Sequence, residues 1–155
     1  MRLYRIGDER HPLWDGTGGA LIGGRWNSPG RPVIYASLSY GGAMLEILAH
    51  AGIGRVPTTH RYVIADVPED VSVERHDAAS LPEAWDAEST TSARCFGDQW
   101  LSGMRSAILL VPSVVARLEW NALVNPSHPQ AARITVSKAE RVVWDKRLFA
   151  SGAGG

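Results

Sequence analysis

The chain has 155 residues, 45% hydrophobic and 21% charged, which suits a single soluble domain with a real hydrophobic core. Sixteen basic and sixteen acidic side chains cancel, which argues against a dedicated nucleic-acid binder and removes the pull of an anionic membrane surface. The one cysteine, Cys95, cannot form an internal disulfide, and the N-terminal residues lack the apolar core of a signal peptide, so a cytoplasmic protein is expected.

In chain order, short runs rich in Val, Ile and Tyr predict strands at 3–6 (LYRI), 32–36 (PVIYA), 61–67 (RYVIADV) and 107–111 (AILLV). Two more, RITV and RVVW, lie near the C-terminus. The stretch ALIGGRWNSPGRPVIYAS, residues 20–37, reads as a hairpin turning near Gly30, which would set Arg25 opposite Tyr35. Ser39 is a good N-cap for a helix from Tyr40 to His50, with Gly52 as its stop. SLPEAWDAEST suggests a short helix with Pro82 in its first turn, and TSARCFGDQWLSG another that ends near Gly103. Pro112 closes the AILLV strand, so Ser113 should lie just beyond a strand end. Strands outnumber helices without clean βαβ alternation, and a mixed α+β domain is expected rather than a doubly wound parallel sheet. Residues 1–150 read as one domain and 151–155 (SGAGG) as a flexible tail.

Three places could carry chemistry. Arg25 follows Gly23 and Gly24, which let a ligand or another backbone approach closely, and a guanidinium fork suits phosphate. Most hairpin arginines are nevertheless solvated or paired at the surface. Glu46 in SYGGAMLEILAH falls away from an apolar face of Met44, Leu45 and Leu48, with His50 one turn on. By itself it reads as an ordinary solvated helix glutamate. Ser113, Asn121, Asn125 and His128 form a polar set among apolar residues, although buried asparagines usually satisfy backbone groups. No His/Asp/Glu cluster has metal-ligand spacing, and neither a P-loop nor a GxGxxG motif is present.

The segments LYRI, GGRWNSPGRPVIYAS, AMLEILAH, ILLVPSVV and EWNALVNPSHP occur in the order found in the RES-domain toxins of bacterial toxin–antitoxin pairs. The resemblance runs from about Leu3 to Leu148. The Arg, Glu and Ser that name the family correspond to Arg25, Glu46 and Ser113, and Met44 is a mild departure from the small or apolar residue expected there. The resemblance implies a compact relative of the ADP-ribosyltransferase fold, a strand-rich split-sheet core with short helices around an NAD-binding cleft. It implies NAD+ as substrate, no bound prosthetic group or metal, and cleavage of the nicotinamide–ribose bond with water, phosphate or a protein as acceptor. It also implies a cognate antitoxin with an Xre-like DNA-binding part, whose C-terminal segment blocks the cleft. On this reading Arg25, Tyr35 and Glu46 are the catalytic set. Arg5, Trp26, Asn27, Ser39, Ser113, Asn121, Asn125 and His128 are the candidates for holding NAD+. The alternative is a non-enzymatic module that keeps an NAD-like ligand or only binds its antitoxin.

Overall fold

The computed structural model describes residues 1–51 and 54–149. The helix stop expected at Gly52 and the tail at 151–155 lie outside the described residues. The chain forms the expected strand-rich α+β domain. Its strands are β1 (Arg2–Asp8), β2 (Ile34–Ser37), β3 (His60–Asp66), β4 (Val73–Arg75), β5 (Ile108–Pro112), β6 (Trp120–Val124), β7 (Thr135–Val136) and β8 (Glu140–Arg141). The helices are α1 (Thr17–Ile22), α2 (Tyr40–Ala51) and α3 (Thr91–Gly103). The sheet order is β4-β5-β6-β2-β1-β3-β7, with β8 also on β3, and among the described residues only the β4–β5 pair is parallel.

Strict alternation explains how four short strands carry two cores. Ile108 and Leu110 of β5, Ala122 and Val124 of β6, Ile34 and Ala36 of β2 and Leu3 of β1 share one buried cluster. Their neighbours Leu109, Val111, Leu123 and Tyr35 point the other way, onto Trp100, Leu101 and Ala93 of α3. Both faces of this half are therefore dry, which is why AILLV is apolar at every position. Tyr4 and Ile6 of β1 face Ala43, Met44, Ile47 and Leu48 of α2. Tyr4 is the cross-strand partner of Ser37, which lies two residues from Tyr35. Paired residues project to one face, so α2 and α3 cover the same side of the sheet.

Between those two helices the sheet nearly parts. β1 and β2 share one registered pair, Tyr4 with Ser37, whereas β1 pairs with β3 along all seven residues from Arg2 to Asp8. This parting is the split of the expected split-sheet core.

Four expectations need correction. No hairpin joins Arg25 to Tyr35: α1 runs to Ile22, Gly23 ends it at φ +73°, and a tight Gly24–Asn27 bridge turns the chain before β2 begins. β2 pairs instead with β6 and β1. SLPEAWDAEST folds as turns, because Ala84 at φ +62° cannot continue a helix. Leu45 is exposed and Glu46 is half-buried, so the apolar face of α2 is Tyr40, Ala43, Met44, Ile47 and Leu48. RITV contributes only the two-residue β7, since a 3-10 turn at Pro129–Arg133 consumes its arginine, and of RVVW only Arg141 enters a strand, paired with Glu140 in β8.

Two helix glycines differ sharply in what a methyl group would meet. At Gly97 of α3 a Cβ would come within 1.8 Å of the Trp26 carbonyl oxygen, whereas at Gly41 of α2 it would meet nothing within 4 Å. Gly97→Ala is expected to destabilise the domain by about 1–3 kcal/mol or more, by forcing α3 away from the Trp26 backbone. Gly41→Ala is expected to be neutral or stabilising by up to about 1 kcal/mol. Urea unfolding of both variants checks the contrast.

Candidate active site

The parted strands open a cleft of about 370 Å³ on the helix-covered face. Its walls carry Arg5, Arg25, Tyr35 and Glu46 together with Ser37, Trp26, Asn121 and Ile47. A second and more open groove runs along α3, but its polar groups answer one another: Ser28 bonds Asp98 through both its amide and its hydroxyl, and Arg31 reaches Ser102 and Asp98.

Glu46 projects from α2 towards the ends of β5 and β6. Its Oε1 accepts from the Ser113 hydroxyl at 2.7 Å and from Asn121 Nδ2 at 2.9 Å. Asn121 is held in turn, its Oδ1 accepting from the Ser37 hydroxyl at 3.1 Å. Ser113 is locked by accepting from the Ala116 amide at 3.0 Å. These neutral donors fix the carboxylate without neutralising it, and Oε2 has no hydrogen-bond partner among the described residues. α2 itself is set by Ser39, whose hydroxyl accepts from the Gly42 amide at 2.9 Å as an N-cap and donates to Glu119 at 2.9 Å. The closeness of Ser39 Oγ, 3.0 Å from where a Cβ would stand at position 42, accounts for a glycine in the first turn.

The two arginines are held by carbonyl oxygens rather than by carboxylates. Arg5 Nε donates to the Leu13 carbonyl and Nη1 to the Tyr35 carbonyl at 2.7 Å. Its Nη2 faces the glycines at positions 7 and 18, where a Cβ would approach to 3.8 and 3.9 Å. Burial pushes the Arg5 guanidinium below its ordinary value, with nearby Asp15 opposing the change; guanidinium remains the form present near neutrality. Arg25 Nη1 donates to the Trp85 and Ala87 carbonyls at 3.1 and 2.7 Å, which leaves Nε and Nη2 without partners among the described residues.

Tyr35 lines the cleft with its ring, while its hydroxyl belongs to the scaffold. The phenol donates to Asn27 Oδ1 at 2.6 Å and accepts from the Trp26 amide at 3.1 Å. Burial raises it far above the ordinary tyrosine value. It therefore stays protonated and offers a ligand an aromatic face.

Of the other sequence candidates, Trp26 and Asn121 line the cleft, and Ser113 reaches it through Glu46. Asn27 is fully buried, with Nδ2 on the Gly19 and Arg31 carbonyls, so it ties the 19–31 segment together. Ser39 caps α2. Asn125 is buried, its Nδ2 near the Leu101 carbonyl and the Met104 sulfur. His128 caps the 3-10 turn by accepting from the Gln130 amide. None of these four lines the cleft. Asp8, His50 and His60, outside the sequence candidates for the site, do. His50 was signalled by its place one turn after Glu46, whereas Asp8 and His60 meet only through the β1–β3 register.

An anionic group can be gripped by Arg5 and Arg25, and a developing cation can be faced by Glu46, within one cleft. With that geometry in view, the RES domain family model matches residues 2–145. A Sphingobium sp. (strain YBL2) protein named Prs ADP-ribosylating toxin is 39% identical over 137 residues, covering 86% of this chain and 85% of its own length. A Pseudomonas putida protein named Toxin Res is 39% identical over 151 residues, covering 96% and 100%. Among solved structures, a chain of the M. tuberculosis MbcT–MbcA toxin–antitoxin complex matches with a TM-score of 0.72 at 20% identity, covering 90% of this chain and 82% of that one, a likeness of fold.

The Tyr35 hydroxyl answers a buried amide and a buried asparagine oxygen, so its removal leaves two unsatisfied groups. Tyr35→Phe is expected to lower stability by about 1–3 kcal/mol in urea unfolding, despite keeping the ring.

Proposed function

The chain belongs to the RES domain family, and we propose that it is the toxin of a toxin–antitoxin pair that consumes NAD+ by breaking its nicotinamide–ribose bond. The observation that carries this reading is the Glu46 carboxylate, fixed by Ser113 and Asn121 in the same cleft as Arg5 and Arg25. NAD+ presents a pyrophosphate and a cationic leaving group, which is the charge pattern the cleft complements.

The division of labour follows from position. Arg25, with Nε and Nη2 unpartnered among the described residues, grips the pyrophosphate, and Arg5 Nη2 supplies a second contact across the glycine-lined wall. The ring of Tyr35 stacks on a flat part of the ligand. The C–N bond to nicotinamide breaks with its electron pair leaving on nicotinamide, so the anomeric carbon becomes oxocarbenium-like. Glu46 stabilises that positive charge and orients the acceptor oxygen, whose attack completes the substitution with loss of its proton. Water, phosphate or a protein side chain can serve as that acceptor. Transfer of ADP-ribose to a protein is favoured as a specific version by the name of the Sphingobium relative. A cognate antitoxin with an Xre-like DNA-binding part is the proposed partner, its C-terminal segment closing the cleft. The family match and the fold shared with a chain of a toxin–antitoxin complex support that pairing.

Purified protein incubated with NAD+, with and without phosphate and with and without cell extract, tests this by following nicotinamide and the ADP-ribosyl product. Nicotinamide release is expected in at least one condition and should fall by about 100-fold or more in Glu46→Ala. Phosphate dependence identifies phosphorolysis, and label on a protein in extract identifies transfer. Absence of release in every condition, with antitoxin binding retained, makes the protein a binding module instead.

A further inference from the structure

We propose that Arg117 and Asp86 are positioning residues for Arg25, and that the loop from Ser113 to Glu119 ties the anion-gripping and carboxylate sides of the cleft into one unit. The proposal rests on the NAD+-consuming reading above for what the cleft does, but the coupling itself is read from the loop.

Arg25 has no carboxylate partner among the described residues. Its place is set by the two carbonyls of Trp85 and Ala87, which belong to a turn where Ala84 holds a left-handed φ of +62°. A turn with that backbone must be braced from outside. Two braces reach it. The Trp85 ring stacks on Trp26, the neighbour of Arg25, at 6.2 Å and 24°. Arg117 Nη1 donates to Asp86 Oδ2 at 2.7 Å, and its guanidinium lies 5.8 Å from the centre of the Trp85 ring. The Asp86 carboxyl is held below its ordinary range chiefly by Arg117, and the charge of Arg25 adds to the effect.

Arg117 sits midway along a loop whose two ends serve Glu46. At the start, Ser113 donates to Glu46 Oε1; at the finish, Glu119 accepts from the Ser39 cap of the helix that carries Glu46. The loop is closed on itself by the Ala116 amide on Ser113 Oγ at 3.0 Å and by the Glu119 amide on the Ala116 carbonyl at 2.8 Å. Seven residues therefore contact the carboxylate, its helix cap and the turn that aims Arg25. An exposed ion pair of this kind adds little to global stability. Its effect should fall on the aim of Arg25, which shows as substrate affinity.

The test uses Arg117→Gln, Asp86→Asn, the double variant and Arg117→Lys. Two readouts are taken: NAD+ kinetics, and hydrogen exchange of the amides from 84 to 89. The expected result is faster exchange in this turn and a several-fold higher KM for NAD+ in either neutral variant, with kcat within about twofold and Tm unchanged. The double variant should be no worse than the worse single, and Arg117→Lys should recover part of the affinity. Unchanged exchange and unchanged KM overturn the proposal, as does a loss confined to Tm. A drop in kcat with KM unchanged also overturns it, because the loop would then act through Glu46 alone. If the wild type releases no nicotinamide, the NAD+ reading fails separately, and the exchange result decides the coupling: faster exchange upholds it and unchanged exchange overturns it.

Discussion

The cleft exists because β1 and β2 separate after one registered pair, and Arg5 makes that separation tolerable. A backbone carbonyl stripped of its ladder partner is costly when removed from water. The Arg5 guanidinium supplies the missing donor, reaching the Tyr35 carbonyl at 2.7 Å and the Leu13 carbonyl from the same fork. One side chain therefore satisfies a β2 carbonyl at the split and leaves Nη2 facing the glycine-lined wall. The two halves of the sheet can then carry separate helices, α3 over β5, β6 and β2 and α2 over β1, with an opening between them.

What distinguishes this opening electrostatically is the nature of the internal partners. Elsewhere arginines meet carboxylates: Arg2 with Asp66, Arg61 with Glu9, Arg117 with Asp86 and Arg133 with Asp70. In the cleft, Arg5 and Arg25 are held by carbonyl oxygens and Glu46 by a hydroxyl and an amide. Dipoles fix the three charged groups, and no ion pair among the described residues cancels them. Preorganised charge of this kind is effective because it need not be rearranged when a ligand or a transition state brings the opposite charge.

Much of this was legible in the sequence, and the parts that were not have physical reasons. β1, β2, β3 and β5 announced themselves because burial on one or both faces demands Val, Ile and Leu at fixed spacing. The Ser39 cap and α2 followed from local chemistry, and both were where expected. Arg25, Glu46 and Ser113 stand out locally but none is compelling by itself, and the family resemblance joins them into one set; the fold puts Arg25 and Glu46 in the cleft wall and Ser113 behind Glu46. The hairpin failed because Asn27, Pro29 and Gly30 make turns of several kinds, and only the fully buried Asn27, bonded to carbonyls on both sides, decides which. Asn125 and His128 looked like site residues because polar groups among apolar ones suggest function, yet each satisfies local backbone or neighbouring atoms. The Arg117–Asp86 brace and the Asp8–His60 pairing join residues 31 and 52 positions apart, beyond the reach of any local pattern.

The central claim is that binding and bond cleavage are divided between the arginines and Glu46. Measuring NAD+ affinity by calorimetry beside single-turnover nicotinamide release in Glu46→Gln and Arg25→Ala tests it most directly. Glu46→Gln should bind NAD+ within a few-fold of wild type and release nicotinamide at least about 100-fold more slowly, while Arg25→Ala should lose affinity first. A Glu46→Gln protein that turns over NAD+ at the wild-type rate would contradict the assignment.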